Sequence, residues 1–461
     1  MMVWSIGDEM AKNGHEVVGV LKSNFAPNKI KGYMDRIKVW TYEPLDNDIE
    51  KNFENSTRTF FKSCLNGAVN GKLVSQEEVL SRYVFNETVA MLNDRNLMEK
   101  IKRFKFDLAI MDGVILSRYH HIIPYHFDIP FITVTNFVSD PALRILALPS
   151  FSPNLFSPFT EAMTFSQRIR NLFLDICLRT NFLVQFLLPT EDKTLLRRYS
   201  HGNDVRSWEE LVAKSKLFIV IRGSPLQYPT PVWPNVFQVY GLTLRPSGNL
   251  TDNLEKILAQ NKEKKIVLVS FGSFGGLFPS SLAQLFLKSF GEMKNLLFIW
   301  SVKLDFPIVI PPNVKLFDWL PQKDLLANDK IVMFISHAGH NSQAEALYYG
   351  KPILCIPIFG DQEHNAIRVK YYGFGNFIYL HELSKDSLQE RIFEIIHNNS
   401  MKTTVEKMKR FAQKQSTIDM QSLANRLENL LIFGDYNVKS YGQIMPLYNR
   451  RYGSSKTWTT R

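Results

Sequence analysis

Cysteine is scarce in this 461-residue chain: Cys64, Cys177 and Cys355 stand apart, at no spacing that suggests a disulfide framework or a metal site. Long apolar runs are missing as well. The nearest is FLVQFLL at 182–188, well short of the roughly 18 to 20 residues of a spanning helix. The opening MMVWSIGDEMAKNGHE is amphipathic and acidic, unlike the basic-then-apolar pattern of a secretory leader. Repeats and low-complexity tracts are absent, which excludes solenoids and fibres. Acids run out after Asp435, leaving a tail with Lys439, Arg450, Arg451, Lys456 and Arg461. A solvated end explains that tail more simply than a contact with nucleic acid or anionic lipid. Sequons at Asn55, Asn86, Asn249 and Asn398 are about what chance supplies.

What is present is globular. Hydrophobic residues make up 45% and charged residues 21%, and the excess of 55 Lys and Arg over 44 Asp and Glu gives a diffuse formal charge of +11. The length suffices for two or three domains. Nearly continuous apolar stretches, EVVGVL (16–21), FDLAIMD (106–112), PFITVTN (130–136) and KLFIVI (216–221), read as strands covered on both faces. GLTLRPSGNLTD (241–252) reads as a linker. A second alternating set follows, with strands in KKIVLVSFGS, NLLFIWSV, NVKLFDWLPQ, IVMFISH and PILCIPIF. Helices are expected around SLAQLFLKSFGEM, DLLAN and NSQAEALYYG, from about Asn365, and in the polar stretches beyond residue 385. The expected architecture is α/β: two Rossmann-like domains, doubly wound around parallel sheets and facing each other across a cleft at the carboxyl ends of their strands.

The stretch SHAGHNSQAEALYYGKPILCIPIFGDQEHN (336–365) concentrates the chemistry. IVMFISH ends at His337, and Ala338 and Gly339 let a ligand approach before a helix starts near His340 or Asn341. Free N–H groups at a helix start suit a diphosphate, with Asn341 and Ser342 adding donors. His337, Asn341 and Glu345 share a face if the helix reaches back to the histidine. Glu345, one turn on, can accept from two ribose hydroxyls, although alone it reads as an exposed helix glutamate. Asp361 and Gln362 follow PILCIPIF, a pairing suited to sugar hydroxyls or, more plainly, an N-cap and its neighbour. Trp319 could stack on a pyrimidine at the end of NVKLFD, near Gln322, and Ser273 could reach a phosphate after IVLV. Each of these also has a core or turn reading.

The ordered set SFGS, WLPQ and ISHAGHNSQAEALYYGKPILCIPIFGDQ resembles the UDP-glycosyltransferase family, which includes the animal UDP-glucuronosyltransferases, with an invertebrate, nematode-like flavour. SPFTEAMTFSQRIRNL (157–172) and PVWPNVFQVYGL (231–242) extend the likeness. The resemblance implies a glycosyltransferase-B fold, with an acceptor domain over 1–243, a UDP-sugar domain over 244–395, C-terminal helices over 396–434 and the basic tail over 435–461. It further implies that Trp319 stacks on the base and Gln322 lies at the uracil or ribose. Ser273, His337, Asn341 and Ser342 would meet the diphosphate, Glu345 the ribose, and Asp361 with Gln362 the sugar. Ala338 and His340 replace the commoner Gly and Leu of the motif.

Inverting transfer needs a base for the acceptor's proton. In the family this is a histidine after the first strand, oriented by an aspartate that Asp112 matches. This sequence opens inside the following helix, so neither the strand nor the histidine is present, and the expectation is of a chain truncated at its amino terminus. His15, His120, His121 and His126 are poor substitutes, His120 the least so. The function expected is glucuronosyl or glucosyl transfer to a hydroxyl or carboxyl of a small lipophilic acceptor. A UDP-sugar-binding pseudoenzyme is the alternative, and an epimerase of related fold fits less well. Expected partners are UDP-glucuronic acid or UDP-glucose, the acceptor, and a second copy or a membrane surface, with no nucleic acid, cofactor or metal. The resemblance implies the endoplasmic reticulum membrane, although the spanning helix of animal members has no counterpart here.

Overall fold

The computed structural model describes residues 2–25, 33–44, 77–113, 115–136, 143, 148–179, 193–201, 205–223, 225–244, 248, 250–272, 278–304 and 306–434. The first half opens with helix α1 (Met2–Lys12), strands β1 (Val18–Lys22) and β2 (Lys38–Tyr42), and helices α2 (Glu77–Asn93) and α3 (Arg95–Phe104). Strand β3 (Ala109–Asp112) leads through a 3-10 turn, Ile115–His121, to α4 (Ile122–His126) and β4 (Phe131–Thr135). Helices α5 (Phe165–Arg179), α6 (Thr194–Tyr199) and α7 (Trp208–Val212) precede β5 (Phe218–Val220) and β6 (Val236–Gln238). All ladders are parallel. β1 pairs with β2, and a separate four-stranded sheet runs β3-β4-β5-β6. No ladder joins β1 to β3 among the described residues. Every residue of β4 is buried, as an apolar strand with a covered sheet face on each side should be.

The second half is one six-stranded parallel sheet. Its strands are β7 (Lys265–Ser270), β8 (Leu296–Ser301), β9 (Val314–Phe317), β10 (Ile331–Ser336), β11 (Ile353–Cys355) and β12 (Gly375–Phe377). They lie in the order β12-β11-β10-β7-β8-β9, a doubly wound arrangement whose strand order reverses beside β7. Helix α8 (Asp252–Gln260) leads into the sheet, and the crossover helices are α9 (Ser280–Glu292), α10 (Gln322–Leu326), α11 (His340–Tyr348) and α12 (Gln362–Tyr371), followed by α13 (Lys385–His397) and α14 (Asn399–Phe433). A capping box at Ser384 and Ser387 starts α13, and the Asn398 side chain accepts from the Met401 N–H to start α14. The core is built from β7, β8 and β10 against Phe286, Phe290 and Leu347, with Phe290 and Phe298 stacked at 4.0 Å between centroids. The short strands β2, β6 and β12 are the ones that hydrophobic patterning does not pick out.

The last helix changes domain. Its start packs Met401, Val405 and Ala412 into the second core, whereas Leu423 and Leu427 join Ile6, Ile132, Ile219 and Leu242 in a core of the first domain. Polar contacts follow the same course. Asp419 accepts from the Tyr240 backbone N–H at 2.8 Å, Asn13 donates to Glu428 at 3.1 Å, and Arg426 donates to the Pro234 carbonyl and lies over the Phe237 ring. Helix α14 therefore packs its start into one core and its end into the other. Leu427→Ala should cost roughly 2 to 4 kcal/mol of stability, as a buried leucine does. Phe433→Ala, at an exposed position of the same helix, should cost less than about 0.5 kcal/mol. Equal losses in denaturant unfolding would show that the end of α14 does not dock.

Candidate active site

A sharp turn sets up the centre of the site. Strand β10 ends at Ser336, and Ala338 takes φ +68°, a left-handed conformation unusual for any residue with a Cβ. Its carbonyl accepts two side-chain amides, from Gln343 at 3.2 Å and Asn365 at 3.1 Å. Those bonds hold the turn so that α11 begins at His340. The helix does not reach back to His337, and the face expected to join His337, Asn341 and Glu345 is broken at Ala338. His337 instead fits between two glycines. A Cβ on Gly339 would lie 2.5 Å from its Nε2, and one on Gly272 would lie 3.0 Å from its Cε1. Burial pushes the imidazole down to about 4 against the pull of Asp361, so the ring is neutral at pH 7, with one N–H to donate and one lone pair.

At the first turn of α11, Asn341 is exposed and Ser342 is buried, its Oγ within 3.4 Å of Gln322 Nε2. The same Gln322 amide donates to Glu345 at 2.7 Å. Partial burial raises the Glu345 carboxyl, and the Gln322 bond opposes that shift. Ahead of them Trp319 stands 71% exposed after β9, while its neighbour Leu320 is buried. Trp319 leaves a large aromatic ring open at a strand end, three residues ahead of Gln322 in the chain. Ser273 lies outside the described residues, and the chain leading to it is described as far as Gly272.

Asp361 and Gln362 are more constrained than their sequence position suggests. Gln362 is buried, and its side-chain oxygen accepts from the backbone N–H groups of Ile358 (2.8 Å) and Phe359 (3.1 Å), closing the turn before α12. Asp361 forms an ion pair with Arg222 and accepts from Asn365 Nδ2 at 2.7 Å. Arg222 follows β5 in the first domain and is 2% exposed. Its fork also donates to the Asn136 carbonyl and, at 3.0 Å, to Asn365 Oδ1. Burial alone would raise the Asp361 carboxyl, but the Arg222 guanidinium and the Asn365 bond hold it below the usual carboxylate range. Arg368, fully buried, donates to Gln343 and Asn365, and burial brings it down to about 9. His340 Nε2 lies 2.8 Å from the Ile221 carbonyl, and the Tyr240 hydroxyl donates to the Ala344 carbonyl, so α11 is fastened to the first domain twice more.

Arg222, Asn365 and Gln343 carry this network although no motif in the sequence marks them, and His340, which the sequence shows only as a departure from the family motif, joins it. The available signal was Arg222 itself, a cation closing the apolar strand KLFIVI on the cleft side. Asp112 ends β3, half-buried, in a strand whose ladder partner among the described residues is β4. The nearby histidines are engaged elsewhere. His120 Nδ1 lies 2.9 Å from Thr88 Oγ1, His121 bridges Arg118 and Thr133, and His126 lies 3.3 Å from the Tyr199 carbonyl. Burial lowers His120 to about 4 and His121 to about 3. Among the described residues no three His, Cys, Asp or Glu side chains cluster as a metal ion needs.

Relatives place this geometry in a family. The family model "UDP-glucoronosyl and UDP-glucosyl transferase" matches residues 1–421. UDP-glucuronosyltransferase 3A1 of Xenopus laevis is 26% identical over 447 residues, covering 95% of this chain and 83% of the relative. The human 2-hydroxyacylsphingosine 1-beta-galactosyltransferase is 28% identical over 393 residues, covering 84% and 70%. Among solved structures, UDP-glucose: anthocyanidin 3-O-glucosyltransferase in complex with UDP aligns with a TM-score of 0.61 at 14% identity, over 93% of this chain and 96% of its own. The calicheamicin glycosyltransferase CalG4 aligns at 0.56 and 17% identity, over 93% and 94%. The fold is glycosyltransferase-B, and the chain belongs to the UDP-glycosyltransferase family.

Proposed function

We propose that this protein transfers a glucuronosyl or glucosyl group, with inversion, from a UDP-sugar to a hydroxyl or carboxyl of a small lipophilic acceptor. The observation that carries the reading is the pairing of an open Trp319 ring with the Gln322–Glu345 hydrogen bond, one helical turn from the free N–H groups of α11. Uracil stacks on the indole, and the Glu345 carboxylate accepts from the ribose hydroxyls. The diphosphate meets the helix start, with Asn341, Ser342, neutral His337 and Ser273 as donors. Asp361 takes the sugar hydroxyls. Gln362, its oxygen already spent on the turn, contributes through its amide nitrogen. Named relatives that transfer glucuronosyl and galactosyl groups, and a fold neighbour solved with UDP, support the donor class.

Chemically, the acceptor oxygen attacks the anomeric carbon, the bond from that carbon to the diphosphate oxygen breaks, and the electron pair leaves with UDP. The acceptor's proton passes to a general base of the histidine type that the family resemblance pairs with Asp112, a base for which the described histidines, bonded elsewhere, are not suited. Donors preorganised at the helix start stabilise the charge growing on the leaving diphosphate, which is where such a site gains most of its rate.

Glu345→Ala should weaken UDP about ten- to a hundredfold, as loss of a charged acceptor does, and leave pyrophosphate nearly unchanged. Titration calorimetry with both ligands decides, and equal losses would remove the ribose assignment. Asp361→Asn should weaken the UDP-sugar while sparing UDP, and a common fall for the two would make Asp361 purely structural. A pH profile tests the ion pair. Wild-type Asp361 stays ionised as pH falls into the ordinary carboxylate range, because Arg222 and the Asn365 bond together outweigh burial. In Arg222→Gln burial prevails, the carboxyl titrates at higher pH, and the acid limb of kcat/KM should move towards neutrality. An unmoved limb would separate Asp361 from the reaction.

A further inference from the structure

Arg368, on α12, is 0% exposed, and its hydrogen bonds run from Nη2 to two neutral oxygens, Gln343 Oε1 at 3.0 Å and Asn365 Oδ1 at 3.1 Å. Its Nε and Nη1 are buried without a hydrogen-bond partner among the described residues. The carboxylate of the network, Asp361, is paired with Arg222 instead. Tyr228, 1% exposed, packs its ring on His364 and Tyr372 of the same helical segment, so rings rather than water close this side of α12. Burying a guanidinium against neutral partners is expensive, and a methionine of similar length would avoid the cost. The charge lies directly behind the turn that opens α11. Gln343 accepts from Arg368 and donates to the Ala338 carbonyl at 3.2 Å, and Asn365 makes the same link at 3.1 Å. The field reaches further. Burial lowers His340, the first residue of α11, and Arg222 and Arg368 lower it more, so positive potential is present at the helix start while the imidazole itself stays neutral.

We propose that Arg368 is a positioning residue for the leaving group: from behind the turn, through Gln343 and Asn365, its buried charge stabilises the diphosphate that departs at the start of α11, without touching it. This rests on the UDP-sugar site proposed above. When the bond from the anomeric carbon to the diphosphate oxygen breaks, the electron pair stays on that oxygen and the diphosphate gains one negative charge. A fixed cation therefore favours the departing UDP over the bound donor. Burial gives the charge its reach. An exposed lysine is screened by water and salt, whereas a unit charge about 10 Å away at an effective dielectric of about 20 changes the binding of a singly charged group by about tenfold.

Titration calorimetry of the full chain with uridine, UDP-glucose and UDP at alkaline pH tests the charge. Arg368→Gln should leave uridine within about twofold and weaken UDP by about tenfold or more. UDP-glucose should lose less than UDP, because its diphosphate carries one negative charge fewer. Arg368→Lys keeps the charge and should restore most of the UDP affinity. Lys370→Gln removes an exposed charge two residues further along the same helix and should change nothing. Gln343→Glu leaves the guanidinium in place and gives it a carboxylate partner. It should remain folded by circular dichroism and still weaken UDP several-fold relative to uridine, which a purely structural role of Arg368 does not give; it carries the test if Arg368→Gln fails to fold. Equal losses for uridine, UDP-glucose and UDP in Arg368→Gln overturn the proposal, as does an unchanged UDP affinity in Gln343→Glu. A wild-type chain that binds none of the three rejects the donor site itself, and this role of Arg368 with it.

Discussion

The ion pair between Arg222 and Asp361 joins the two halves of the molecule at the point where a sugar would lie. Removing a charge as buried as Arg222 from water is expensive, and only close, multiple partners repay it. Those partners come from both domains: the Asn136 carbonyl from the first, and Asp361 with Asn365 from the second. The guanidinium is planar and forked, so it fixes the direction as well as the distance of approach. A lysine there would keep the charge and lose the second and third bonds. The position of Asp361 thus depends on the first domain being seated, and the sugar contact proposed for it would depend on the same seating.

Asn365 extends that constraint to the turn at Ala338. One amide nitrogen donates to Asp361 and also to the Ala338 carbonyl, while the amide oxygen accepts from Arg222 and Arg368. Asp361, the Ala338 carbonyl, Arg222 and Arg368 are therefore linked through one side chain. The left-handed Ala338 costs of order 1 kcal/mol relative to glycine, and the two amides on its carbonyl supply the compensation. That explains how an alanine can stand where the family more commonly has glycine. His340, the other departure from the motif, also gains a bond, to the Ile221 carbonyl of the first domain.

Much of this was legible in the sequence where the physics is local. Alternating apolar strands and amphipathic helices gave the α/β reading, because a strand covered on both faces must be nearly continuous in Val, Ile and Leu. Trp319, Gln322, Ser342 and Glu345 could be placed near one another because short loops connect each strand to its helix on the same sheet edge. What escaped is long-range. Nothing around Arg222 announces that its partner stands 139 residues later, and Gln362 looks like a free hydrogen-bonding group until the turn of Ile358 and Phe359 is seen to consume its oxygen. Helix α14 escaped for the same reason. Its polar periodicity shows a helix, but only the contacts of Leu423 and Leu427 reveal which core receives it.

The two domains also differ in how self-contained they are. The second closes its sheet around β7 and β10 with helices on both faces, and its site residues cross-link one another. The first is held partly from outside: α14 fills the core beneath β4 and β5 with Leu423 and Leu427, Asp419 secures Tyr240, and Arg222 is buried against α12. Truncating α14 therefore removes core from the first domain while sparing the bonds that hold the turn at Ala338. A single helix that begins in one core and ends in the other makes the stability of the first domain depend on the second, so the first domain is assembled on the second.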